Sequence, residues 1–186
     1  MKNKLLPFLH FVVVFFLFTA STVVADNDKS QAPTPPPDNS SAELKRIKAL
    51  EGRWKSTTSM FGKENEEVFT EYKITAGGSA VVETIFPGTP NEMVSVYYDN
   101  DEGKLAMTHY CMMRNRPHFT LVESSDDVLK LDVTKVEGVK SDDAPSMGAI
   151  TLNFKDQNHF SSTCEARGGD AKEHHEPMTM QFTRIQ

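Results

Sequence analysis

Residues 105–113 read Leu-Ala-Met-Thr-His-Tyr-Cys-Met-Met, which sets Met107, His109, Cys111 and Met113 at alternate positions. On a β-strand, alternate side chains share one face. That face would carry two thioethers, an imidazole and a thiol, soft donors of the kind that hold copper or zinc. His109 and Cys111 could chelate as an i, i+2 pair. A single strand cannot close four such groups around one ion, because it advances ~3.3 Å per residue. No second His/Cys cluster stands in a suitable register, so no metal site is expected. The face reads instead as the lining of a pocket or core. His109 could also act as a base for the Cys111 thiol. No third catalytic member or oxyanion hole accompanies the pair, so catalysis is not the leading expectation. A Cys/His-dependent redox protein or enzyme stands as the alternative.

The elements that must position these residues are strands. From Gly52 onward, short runs alternate between apolar and polar residues and are broken by turn chemistry such as "TAGGS", "FPGTPN", "YDNDEG" and "ESSDD". This pattern predicts about ten strands, near 52–60, 66–74, 79–86, 92–99, 104–113, 117–123, 128–136, 148–154, 159–166 and 177–185. Val68, Tyr72 and Ile74 share a face, as do Leu129, Leu131 and Val133, while Glu71, Lys73, Lys130 and Asp132 lie opposite. One dry face and one wet face mean antiparallel sheet. In "MVSVYY" the parity sets Met93, Ser95 and Tyr97 against Val94, Val96 and Tyr98, and does not say which set faces inward. Tyr97 would add an aromatic wall with a polar tip. The one helical signal is Ser41 as N-cap before Leu44, Ile47 and Leu50, stopped by Gly52. Sequential strands without covering helices must hide their edges, and closure into an up-and-down barrel does so. A β-sandwich is the alternative.

The ends of the chain differ from this body. Lys2 and Lys4 precede an apolar run from Leu5 to about Ala20, and Val23 and Ala25 stand at −3 and −1 of a cleavage site. Residues 1–25 therefore read as a secretory signal peptide, giving an exported protein, periplasmic or secreted, with no stable membrane insertion after cleavage. Residues 26–41 contain four prolines and few apolar groups, the composition of a disordered linker. Residues 42–186 are then the folded domain. The chain has 20 Lys and Arg against 26 Asp and Glu, so nucleic acid is a poor partner. Export would favour a disulfide between the two cysteines, Cys111 and Cys164. They fall on the fifth and ninth predicted strands, too far apart in a simple barrel for the ~7 Å between Cα atoms that a bridge allows. Two free thiols are expected. "KEHHEP" (172–177) reads as a solvated turn, since adjacent histidines on an extended chain point apart.

"LEGRWKSTT" (50–58) resembles the opening of a lipocalin-type barrel, where a short helix leads into Gly-x-Trp, here Gly52 and Trp54. The resemblance implies an Arg on the last strand packed over that Trp, and "FTRIQ" offers Arg184. The segments 72–98, 108–119, 150–160 and 180–185 are together similar to bacterial lipocalin-like domains that have no assigned biochemical function. A large aromatic common near position 164 in that family is replaced by Cys164. A more distant likeness to nitrobindins brings haem into view. No His aligns securely with their haem ligand, so no cofactor is expected and haem stands only as a minor alternative.

These readings combine into an all-β, lipocalin-like barrel of about ten antiparallel strands that binds a small apolar or amphipathic molecule in its lumen. The expected contacts are His109, Cys111, Met113, Met107 and Tyr97, with Trp54 and Arg184 as a structural pair at one barrel end. A barrel with a purely structural or interaction role is the remaining alternative.

Overall fold

A computed structural model describes residues 36–169 and 176–185. The signal-peptide reading (1–25), most of the linker reading and most of the "KEHHEP" turn lie outside the described residues. Within them, one short helix, α1 (Ala42–Lys48), precedes ten strands. These are β1 (Gly52–Thr58), β2 (Glu66–Thr75), β3 (Ala80–Ile85), β4 (Met93–Asp99) and β5 (Leu105–Tyr110), followed by β6 (Arg116–Ser124), β7 (Val128–Glu137), β8 (Ser146–Asp156), β9 (His159–Arg167) and β10 (Met178–Arg184). Each strand pairs antiparallel with its chain neighbours, and β1 pairs with β10, closing the barrel. Closure removes the sheet edges that alternating sequences would otherwise expose.

Parity sets the interior. Trp54, Val68, Tyr72, Val81, Tyr97, Leu105, Met107, Phe119, Leu131, Leu152, Phe160 and Phe182 form one buried cluster filling the lumen. Phe160 stands at the centre of an aromatic group, stacked on Phe182 at 4.5 Å and edge-on to Trp54 at 4.8 Å.

α1 stoppers one end, where β1 begins and β10 finishes. Ser41 caps it: its Oγ accepts from Leu44 N–H at 3.0 Å and donates to Asp99 Oδ1 at 2.6 Å, while Ser41 N–H donates to Asp99 Oδ2 at 2.7 Å. Leu44, Ile47 and Leu50 are buried beneath it. Ser41→Ala should cost about 1–2 kcal/mol in urea denaturation. Ser41→Asp, ordinarily an equal cap, should fail to recover that loss, because a second carboxylate would face Asp99.

The opposite end is less tightly bound. Along the β1–β10 seam the register is Trp54↔Arg184 and Lys55↔Thr183, next to the stoppered end. Toward the other end the two strands part. There a hollow of about 400 Å³ opens, lined by Thr57, Thr58, Met60, Met178, Thr179 and Met180 among others. A second hollow of about 410 Å³ lies by Pro36–Ser40, Leu44 and the Ala76–Ser79 turn.

Candidate functional site

A row of directly opposed residues crosses four consecutive strands on the lumen face: Tyr72 on β2, Glu83 on β3, Ser95 on β4 and His109 on β5. All four are buried. Tyr72 Oη donates to Glu83 Oε1 at 2.7 Å, and Tyr97 Oη, from the same face of β4, donates to Oε2 at 3.0 Å. Ser95 Oγ lies 3.0 Å from His109 Nδ1, and Ser95 stands directly opposite Glu83 in the β3–β4 register. This is a polar belt across an otherwise apolar core.

Burial governs its electrostatics. It pushes the Glu83 carboxyl above its ordinary value, outweighing the hydrogen bonds from Tyr72 and Tyr97 that favour the carboxylate. Burial, reinforced by the Glu83 charge, also holds both tyrosines well above 10, so they remain phenol donors. His109 is lowered to about 4 by burial and is a neutral imidazole at pH 7. The Ser95–His109 pair can run in either direction: Nδ1–H donates to Ser95 Oγ in one imidazole tautomer, and Ser95 Oγ–H donates to Nδ1 in the other.

Met107, His109 and Tyr97 thus lie in the lumen, Met107 and Tyr97 with no exposed surface. Parity resolves in favour of Tyr97 over Tyr98, whose ring is on the outer face. Met113 does not join them. β5 ends at Tyr110, and residues 111–115 form a turn in which Met113 is 58% exposed. Arg114 adopts φ 65°, and Cys111 N–H donates to Asn115 O at 3.1 Å, so the alternation stops there. Cys111, half-buried, still packs against the core cluster. On the outer face Thr108 is buried, with its Oγ1 3.1 Å from His118 Nδ1.

Arg184 lies with its Cζ 4.2 Å from the Trp54 ring centroid. Trp54 Nε1 donates to Leu50 O at 2.7 Å. Both thiols are free. Among the described residues no group of three His, Cys, Asp or Glu is arranged to hold a metal ion. His109 Nδ1 is committed to Ser95, and as a neutral base it offers no imidazolium to hold a Cys111 thiolate.

Sequence reasoning missed Glu83. It stands between Val81 and Ile85 on a strand whose other face, Val82 and Thr84, is nearly as apolar, so its inward parity carried no visible signal.

No protein-family model matches this sequence, and no curated protein matches it.

Proposed function

We propose that this chain is an exported, lipocalin-like barrel that binds a small apolar or amphipathic molecule, admitted at the parted half of the β1–β10 seam. The observation that carries this reading is the hollow of about 400 Å³ at that seam. Its volume falls in the usual range for small-molecule sites, and its lining sets the hydroxyl and amide groups of Thr57, Thr58, Ser59, Asn65 and Thr179 beside the flexible side chains of Met60, Met178 and Met180, a mixed surface suited to an amphipathic molecule. Deeper in the lumen, Thr70 Oγ1 is buried without a hydrogen-bond partner, a polar atom that a ligand could satisfy. The Tyr72–Glu83–Tyr97 and Ser95–His109 belt supports the same reading, because buried charge and polarity are costly to a core that has only to pack. Export rests on the character of residues 1–25 and the lipocalin likeness on Gly52, Trp54 and Arg184.

The packed lumen favours a second reading, a barrel without a ligand whose belt serves only to fix the pairing of β2 to β5. The neutral probe N-phenyl-1-naphthylamine separates the two. Saturable binding of one probe per chain is expected, weakened about tenfold by Met60→Arg, which places a charge in the hollow from an exposed position. Absence of saturable binding, or an affinity indifferent to Met60→Arg, would favour the structural reading.

A further inference from the structure

β1 and β10 part in a definite phase, which sets what the gap between them presents. Ile185 N–H donates to Arg53 O at 2.9 Å across the seam, so the main chain of Arg53 turns its polar groups toward β10. That direction alternates along a strand, and it recurs at Lys55, which pairs with Thr183, and at Thr57. β10 has the matching phase. Arg184 N–H donates the other way, to Asn158 O at 2.9 Å on the β9 side, so Thr183, Gln181 and Thr179 turn their polar groups toward β1. The register makes two pairs, Trp54↔Arg184 and Lys55↔Thr183, and stops before Thr57 and Gln181 meet. Among the described residues, the main-chain N–H and C=O groups of Thr57, Gln181 and Thr179 thus face the opening without a strand partner.

We propose, on the reading that the seam hollow is a ligand site, that it takes an extended, uncharged peptide segment as an added strand antiparallel to β10. Thr179 and Gln181 stand two residues apart on one edge, the spacing at which an antiparallel partner exchanges its pairs of hydrogen bonds. A hydrocarbon chain seated there would displace water from these groups and leave them unsatisfied, whereas a run of amides satisfies them. Parity sets the side chains of the segment. Met180 is buried and Met178 packs against the core, so alternate residues beside them would be apolar. Thr179 and Gln181 are exposed on the outer face, so the residues between would be polar. Among the described residues, none that lines the hollow is charged, so an ionised side chain would meet no counter-charge there.

Calorimetric titration of the full-length chain with the blocked peptide acetyl-Thr-Val-Thr-Val-Thr-amide should show one peptide per chain, displacing N-phenyl-1-naphthylamine. N-methylation of the peptide's threonine amides, which keeps every side chain, should weaken binding by more than about tenfold. Thr179→Pro removes an N–H that faces the opening and no bond to β9, so it should fold and weaken peptide binding ~3–10-fold. Met180→Pro, one residue on, removes a donor to β9 and should lower the urea midpoint instead. The N-methylated peptide tests the site on the unaltered chain even if Thr179→Pro fails to fold. Binding of N-phenyl-1-naphthylamine without binding of the peptide would overturn the peptide site and leave the small-molecule reading standing. Binding of neither would overturn both. An affinity indifferent to N-methylation or to a folded Thr179→Pro, or peptide bound without displacing the probe, would place the peptide elsewhere and overturn the site. A dimer that Thr179→Pro dissolves, with no peptide uptake, would overturn it in favour of a second copy of the chain.

Discussion

Glu83→Ala should destabilise the barrel by about 3–5 kcal/mol, read as a shift in urea midpoint. The substitution leaves two buried phenols, Tyr72 and Tyr97, without their acceptor, at about 1–3 kcal/mol each, and opens a void between them. Glu83→Gln keeps one carbonyl acceptor and should cost only about 1–2 kcal/mol. The combined variant Tyr72→Phe, Glu83→Met and Tyr97→Phe should recover most of the alanine loss, since an apolar isostere of a buried polar cluster is often neutral or better. Recovery would mean that the fold does not need the belt, and that its retention answers to something other than packing. A triple variant as unstable as Glu83→Ala would show that the belt is architectural.

The same residues set a pH profile in two opposed halves. Glu83 is raised above its ordinary 4.5, so above that pH the unfolded chain releases a proton that the native state keeps, and stability falls as pH rises. His109 is lowered from 6.5 to about 4, so below 6.5 the unfolded chain takes up a proton that the native state refuses. Stability attributable to His109 therefore falls as pH drops, by about 3 kcal/mol over the full window. Between 4.5 and 6.5 the two slopes oppose each other, so the unaltered protein should depend on pH less steeply than a variant that keeps only one of the two groups. Glu83→Gln should expose a rising slope with pH, and His109→Asn, which keeps a partner for Ser95, a falling one. Three parallel profiles would remove both groups from the linkage.

What the sequence made legible follows from periodicity. Strand alternation around Val68, Leu131 and Phe182 is unambiguous because polar residues separate the apolar ones, and it suffices for antiparallel pairing and closure. β5 shows where periodicity fails. "RNRP" (114–117) announces a break, but Cys111, Met112 and Met113 continue an apolar run with no Gly or Pro, so nothing local shows that β5 already ends at Tyr110 and that the turn begins at Cys111. Glu83 was hidden for a different reason. A lone carboxylate in a strand reads as solvent-facing, and its partners Tyr72, Ser95 and His109 come together only through the register of four strands. The seam is likewise a property of pairing, since nothing in "RWKSTTS" or "MTMQFTR" shows that β1 and β10 part after Lys55 and Thr183.

Arg184→Ala should destabilise the protein by about 3 kcal/mol and loosen that seam from its fastened end. The guanidinium donates through Nη1 to Glu51 O at 2.5 Å, through Nη2 to Ala49 O at 2.7 Å and through Nε to Gln157 O at 3.0 Å, while its face covers Trp54. It thereby joins the carbonyls of Ala49 and Glu51 that follow α1, the β8–β9 turn and the β1–β10 seam at one point. Hydrogen bonds from a charged donor contribute about 1.5–3 kcal/mol each and the cation–π contact about 0.5–2, but groups held by one side chain do not add in full. Arg184→Lys should recover little, because a single ammonium cannot span three separated carbonyls or stack on an indole. Trp54 is the chain's single tryptophan, so its emission reports the change directly: a red shift on loss of the arginine, with faster amide exchange at Lys55 and Ile185. Ile185 N–H is bonded to Arg53 O at 2.9 Å across the same seam, which makes its exchange a measure of local opening rather than of global unfolding. If lysine equals arginine, or Trp54 emission is unmoved, the latch is elsewhere. If the seam does open, N-phenyl-1-naphthylamine should associate faster with Arg184→Ala than with the unaltered chain, because the strands that part to form the hollow are those the arginine holds shut.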